Sequence, residues 1–449
     1  MKANHLFRKT PPPIFEVTSL TLPLPSVSKL DNGISVYQTR LGTQEIMKID
    51  IAILSGRPEE HKRLASRATS RQLREGTASF NSAEIAQQID FWAGTLKMPV
   101  SLDTSNVKLY CMTKHFPKLL PLLAEIILQP TFPERELNTF VENNIQNLAV
   151  ELTKNDVIAY RIITEMAYGA DTPYGYNSTA DDYRNLTTDD LKQYHQENYT
   201  ADNMVIFLSG YFDDSVLTLL NQYLGQNKTV AVKESHPLPE TIGISFLNSI
   251  TDIKPEKIRV QNPDTLQAAI RIGRRIGNRK HPDYNGFFVL NTILGGYFGS
   301  RLMKNIREKK GFTYNIGSAS DTLLCDSFFY ISSEIGNEFV DKALVEVYKE
   351  IAVLQNDLIE DSELAMVRNY LLGNFLNMVD GPFAINDVIR TYVIEEMPLS
   401  HFSQFVETIR TITPTELRDL AQKYLKKGDM FEVVVGTFDA KRTKPSRGR

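Results

Sequence analysis

Apolar residues along this chain recur with two different periods. Strict alternation marks strands, beginning with Ile34–Tyr37 behind the Asp31-Asn32-Gly33 turn signal and continuing in IMKIDIAIL at 46–54. Helical spacing predicts helices near 60–75 and 82–93, a strand pair over about 95–112, and helices near 116–128 and 133–153. Strands and helices interleave, which predicts an α+β fold, or equivalently an α/β two-layer arrangement.

The pattern repeats. The segment RNLTTDDLKQYHQENYTADNMVIFLSGYFD (184–213) aligns without a gap to RTITPTELRDLAQKYLKKGDMFEVVVGTFD (410–439), at an offset of 226 residues. In both copies a threonine, Thr187 or Thr413, stands where a helix N-cap is expected, with Asp190 or Glu416 three residues on in capping-box position. Pro414 falls at the first helical position, where its missing N–H is not needed. Each helix leads through a short turn into an apolar strand. The offset is close to half of 449 residues, so two similar domains in tandem are expected. The expected boundaries are an extended Pro-rich arm over 1–28, a first domain over 29–228, a linker region over 229–256, a second domain over 257–440 and a basic tail over 441–449.

Composition narrows the function without naming it. The chain is 42% hydrophobic and 23% charged, with a net charge of −4, so no whole-molecule field favours nucleic acid or anionic lipid. Two cysteines, Cys111 and Cys325, exclude a disulfide scaffold and suit a reducing compartment. Neither a signal-peptide core nor a run of about 18 apolar residues is present. A bacterial cytoplasmic location, or an organelle matrix, is expected, with no membrane partner. A periplasmic chain already stripped of its signal would look the same.

The most specific motif is LGGYFGSRLMKNIREKKGFTYNIGSAS (294–320). Gly295 and Gly296 end an apolar helix over 283–294. A basic helix over Ser300–Lys310 follows, Gly311 is expected at its C-cap, and a strand over Phe312–Ser318 completes the unit. The run Ser300-Arg301-Leu302-Met303, then Arg307-Glu308-Lys309-Lys310-Gly311-Phe312-Thr313-Tyr314, resembles the second-half signature of the insulinase/pitrilysin family of zinc peptidases. That family includes mitochondrial processing peptidase and the core subunits of the cytochrome bc1 complex. LDNGISVYQTR and TPYGYNSTADDYRNLTTDDLKQYHQENYTADNMVIFLSGYFD (172–213) are similar to first-half segments of the same family. The resemblance covers about residues 28–440. It implies two duplicated processing-peptidase-like domains, in keeping with the internal repeat.

In active relatives the first half carries His-x-x-Glu-His on a helix, with two zinc-ligating imidazoles and a general base, and a Glu roughly 76 residues further as third ligand. Counting back from Gly76-Thr77, those positions are Arg67, Ser70 and Arg71 here, and the third-ligand position falls on Asn147. The resemblance therefore implies a chain without zinc and without peptidase activity of its own. Arg67 and Arg71 stand at i and i+4 on one helical face. They either pair with nearby acids such as Glu142 and Glu151, the favoured expectation, or form a positive patch for an acidic group. Ser70 could be a nucleophile only with a base, and none stands at a recognisable spacing. Lys97-Met98-Pro99 replaces the family's Asn-Ala on the edge strand beside the zinc, which blunts that edge.

Arg307 and Tyr314 match the family's Arg/Tyr pair, which binds the substrate carbonyl and stabilises the developing oxyanion. Some bacterial members work as two chains, one with the zinc motif and one with the Arg/Tyr pair. The resemblance thus implies a non-catalytic subunit that acts on peptide substrates with a zinc-bearing paralogous partner, zinc being held by the partner alone. A scaffold of the same fold without a peptidase partner is the alternative, and a homodimer stays open.

Overall fold

The computed structural model describes residue 17 and residues 19–226 and 253–438. Most of the expected arm and linker, and all of the basic tail, lie outside the described residues. The chain is mixed helix and sheet, with two sheets built to one plan.

The first sheet has the order β1-β2-β6-β3-β5-β4, from β1 Ser26–Lys29, β2 Ser35–Arg40, β3 Ile46–Ile53, β4 Thr95–Lys97, β5 Ser105–Met112 and β6 Met204–Gly210. The second has the order β7-β11-β8-β10-β9, from β7 Lys257–Gln261, β8 Gln267–Arg275, β9 Thr313–Thr322, β10 Ser327–Gly336 and β11 Phe431–Gly436. Apart from β1 the two orders are the same, and in each sheet one parallel pair, β2 with β6 or β7 with β11, is followed by antiparallel neighbours. The strand β1 begins inside the expected N-terminal arm and ends one residue beyond it. Leu20 and Leu22, further up that arm, are buried in a core made mostly by the second half.

Helices α1 Ala65–Gln72, α2 Ser82–Phe91, α3 Phe116–Leu128, α4 Glu134–Glu151, α5 Asn155–Tyr168, α6 Ala180–Arg184, α7 Thr188–Asn198 and α8 Ser215–Leu224 belong to the first half. The second half contributes α9 Tyr284–Asn291, α10 Val340–Asn356, α11 Asp361–Met378, α12 Gly381–Ile394, α13 His401–Thr411 and α14 Pro414–Tyr424. Both repeat helices begin on the expected caps. The Thr187 side chain accepts from the N–H of Asp190, and the Thr413 side chain from that of Glu416, each with a completed capping box. The local sequence therefore sets the same helix–strand unit twice.

Tertiary structure adds an exchange between the halves. Helix α5 packs on β8 and β11 of the second sheet, where Ala159, Ile163 and Ala167 meet Ala269, Val433 and Val435. Helix α12 packs on β2 and β6 of the first sheet. The two exchanged helices, starting at Asn155 and Gly381, are separated by the repeat's own offset of 226 residues. Each half thus covers one face of the other's sheet.

The seam under α12 is charged. On β3, Met47, Ile49, Ile51 and Ile53 enter the first-half core, while Lys48 and Asp50 point the other way. Both are fully buried. Asp50 lies 2.9 Å from the Lys108 ammonium and 3.3 Å from the Arg390 guanidinium, and Lys48 lies 2.8 Å from Asp387. Lys48 also donates to the Phe383 carbonyl at 3.2 Å. Burial pushes the Lys48 ammonium down, and Asp387 and Asp50 pull it back toward the charged form. No helix among the described residues is long and apolar enough to cross a membrane.

Candidate functional site

Helix α1 carries Arg67, Ser70 and Arg71, where the resemblance puts the zinc motif. Its one buried face, Ala65, Ala68, Thr69 and Gln72 among others, packs toward α7, where Thr69 donates to the Leu191 carbonyl at 3.3 Å. Its N-terminus is held by Glu60, whose carboxylate accepts from the backbone N–H of Leu64 and Ser66 and from the Tyr176 hydroxyl at 2.6 Å. An acceptor here satisfies helix donors that would otherwise be orphaned.

Burial pushes the carboxyls of Glu59 and Glu60 up to about 7. The folded chain then keeps two protons that the unfolded chain releases from about pH 4.5. Their contribution to stability is present below that pH and is lost as pH rises to about 7. Glu60→Gln should therefore flatten the fall in urea midpoint between pH 5 and pH 8. Parallel midpoint-against-pH curves for the two proteins would count against this account.

Arg67 and Arg71 project from the other face of α1 into solvent. Neither forms an ion pair among the described residues. The expected pairing with Glu142 or Glu151 is not found: Glu151 pairs with Lys154 at 2.6 Å, and Glu142 is exposed on α4. Partial burial, then the nearby Arg67 and Arg74 charges, lower the Arg71 guanidinium from its ordinary value. The face is a row of cations, of which only Arg74 has a carboxylate neighbour, Glu75 at 3.5 Å.

Ser70 is fully buried, so it cannot meet a substrate, and Asn147 is exposed on α4. Two guanidinium groups with no lone pair to give, one buried hydroxyl and one amide do not fit a zinc site. Among the described residues no three His, Cys, Asp or Glu side chains are grouped to hold a metal. The neighbouring edge strand stops after three residues, at Lys97, and Met98 turns inward ahead of Pro99. A cleft of about 500 Å³ separates β4 from α2, lined by Arg74, Glu75, Ile85, Ile89 and Leu96 but by neither Arg67 nor Arg71.

The second half brings its two residues together. Past the π-helical turn Thr292–Gly296, the chain forms a second π-helical segment, Met303–Lys309, and Gly311 closes it with φ +64°. Gly295 is fixed by a close approach, since a Cβ there would stand 2.5 Å from the Ser318 nitrogen. Arg307 lies between two aromatic rings, 4.6 Å from the centroid of Phe298 and 5.4 Å from that of Tyr314. Its cation is held over both π faces without a carboxylate partner among the described residues.

Tyr314 is 84% exposed because of a β-bulge. Ile316 pairs with Ser333 and Thr313 with Ile335, so Tyr314 and Asn315 together oppose Glu334. Thr313 and Ser333 satisfy the displaced backbone. The Thr313 hydroxyl donates to the Glu334 carbonyl at 2.6 Å and accepts from the Asn315 N–H at 3.2 Å, while Ser333 donates to the Asn315 carbonyl at 2.8 Å. Bulges re-aim side chains in this way. Sequence reasoning missed Phe298, although its place between Gly296 and Gly299 was a signal, and it missed the bulge, which only strand register reveals.

Residues 185–371 match the family model described as Peptidase M16 inactive domain. A non-peptidase homolog, YmxG of Helicobacter pylori, is 24% identical over 81% of this chain and 82% of its own length. Over residues 185–371 the chain is similar to the M16 inactive domain.

Relatives of the chain carry mixed names. An uncharacterized zinc protease, YmxG of Bacillus subtilis, is 23% identical over 67% of this chain and 71% of its own length. From the same species, the probable inactive metalloprotease YmfF is 19% identical over 68% and 70%. Among solved structures, the M16 inactive domain from Pseudomonas fluorescens superposes with a TM-score of 0.80 at 21% identity, over 94% of this chain and all of that one. A protease from Helicobacter pylori gives 0.82 at 17% identity, over 93% of this chain and all of that one. These likenesses bear on the fold. Arg67, Ser70 and Arg71, where the resemblance puts the zinc motif, offer zinc nothing to bind.

Proposed function

We propose that this chain is the non-catalytic subunit of a two-chain peptidase, forming half of a peptide chamber and lending Arg307 and Tyr314 to a zinc-bearing paralogue. The observation that carries the reading is the state of that pair. Arg307 is held between two rings with its charge unspent, and Tyr314 is thrust outward by a bulge whose backbone groups Thr313 and Ser333 satisfy. Preorganised donors of this kind suit a carbonyl that gains negative charge. The opposite half supplies cations where a metal would need ligands, so the chemistry must come from another chain, whose zinc would polarise the scissile carbonyl and activate water.

Mixing the chain with the zinc-motif paralogue from the same genome tests the reading. Co-elution on gel filtration and peptide cleavage by the mixture, with little by either chain alone, are expected. Separate elution with no gain in cleavage would sink it and leave a scaffold role.

A further inference from the structure

Helix α1 has eight residues, and six of them, Ala65, Ser66, Ala68, Thr69, Ser70 and Gln72, are buried. Arg67 and Arg71 alone are exposed. Packing on α7 and β5 fixes the helix, and what it shows to solvent is guanidinium. Arg74, exposed on the next turn Leu73–Glu75, extends the row. Like charges at i and i+4 repel. Among the described residues no carboxylate pairs with Arg67 or Arg71, and the charges acting on Arg71 are those of Arg67 and Arg74. The cations just before the helix are, by contrast, already engaged. Lys62 pairs with Asp190 at 2.6 Å, Arg63 pairs with Asp171 at 3.0 Å, and Arg57 donates to the Tyr176 carbonyl at 3.0 Å.

The spacing of the row suits one kind of anion. Arg67 and Arg71 stand about 6 Å apart along the helix axis, at about 1.5 Å per residue. Alternate side chains of an extended polypeptide stand roughly 6.6–6.8 Å apart on one side. Carboxylates two residues apart are therefore nearly in step with the two guanidinium groups, each of which offers a carboxylate two parallel N–H donors. Helix α1 presents no aromatic ring on which a nucleic-acid base could stack. Arg74 also lines the cleft between α2 and β4, where Ile85, Ile89 and Leu96 offer apolar surface to a side chain beyond the acids. We propose that the row Arg67, Arg71, Arg74 binds an acidic stretch of polypeptide in extended form, with carboxylates of alternate residues seated on Arg67 and Arg71. This rests on the proposed function only in taking the ligand to be a peptide. It adds the chemical class of that peptide and a place for it on residues other than Arg307 and Tyr314.

The test titrates the full chain with a fluorescently labelled nine-residue peptide of alternating Glu and Thr. Arg67→Ala and Arg71→Ala should each weaken binding about threefold to tenfold, and the double variant about tenfold or more. Raising salt from about 0.05 M to about 0.5 M should weaken it about tenfold. The same peptide with Gln for Glu should bind at least tenfold more weakly, and one with Glu at every third position about threefold more weakly. The replaced side chains are exposed, so the urea midpoint should stay at the wild-type value and a loss of binding reports on the row itself. Equal binding by the double variant, by the Gln peptide or by a nine-residue oligothymidylate would overturn the proposal. So would an equal loss in Arg184→Ala, because net charge and not the row would then be sensed. Binding that depends on Arg67 and Arg71, in a chain that fails to complement the zinc paralogue, would keep this inference and sink the subunit reading. Cleavage by the pair, with no binding of the Glu-Thr peptide to the chain, would do the reverse.

Discussion

Asp50→Ala should cost the fold about 3–5 kcal/mol, read as a lower urea midpoint, and should be the most damaging single charge removal in the chain. Asp50 is fully buried and lies against two cations from different elements, Lys108 on β5 and Arg390 on α12. Taking away the carboxylate leaves those charges to the Asn106 amide oxygen and to Asp387, which lies 3.5 Å from Lys108 and already serves Lys48 at 2.8 Å. Arg390 comes from the second half, so the loss also removes one of the contacts that hold α12 on the first sheet. Asp50→Asn keeps the shape but not the charge and should fall between the wild type and the alanine variant. A midpoint unchanged in Asp50→Ala would mean that its contacts with Lys108 and Arg390 contribute nothing to holding α12 on the first sheet. An exposed pair such as Arg184 with Asp181 offers the control, because its removal should change stability by less than about 1 kcal/mol.

The second large effect concerns activity. In the assembled pair, Arg307→Ala should lower peptide cleavage about 10²–10³-fold, mainly in kcat, while co-elution with the zinc-bearing chain is unchanged. The fall should lie in kcat because the group is needed where charge develops, more than where the substrate is first bound. Arg307→Lys should recover little, since an ammonium cannot be held between two rings with a planar donor edge left over. Tyr314→Phe should be milder than Arg307→Ala, because it removes one neutral donor and keeps the ring against the guanidinium. Cleavage by the pair that is indifferent to Arg307→Ala would remove the reason for assigning this chain a part in the chemistry.

Much of this was legible in the residues themselves. Capping boxes at Thr187 and Thr413, alternation at 46–54, the Gly311 cap and the repeat at 226 residues are local matters, and the helices and strands stand where those signals put them, to within a few residues. The resemblance to the family singled out Arg307 and Tyr314 as a pair, and the Arg307 guanidinium lies 5.4 Å from the Tyr314 ring.

Contacts distant in sequence decided the rest. Alternation alone puts Lys48 and Asp50 on a solvated face, and they are buried because α12, more than 300 residues away, covers it. The pairing expected for Arg67 and Arg71 fails because Glu151 is taken by Lys154 on its own helix end, which no spacing rule ranks in advance. The bulge that exposes Tyr314 depends on register between β9 and β10. The sequence determined the elements and the repeated helix–strand unit, since these rest on short-range backbone preference. Tertiary structure alone decided which charges are buried and which helices change places, since these depend on the company each surface finally keeps.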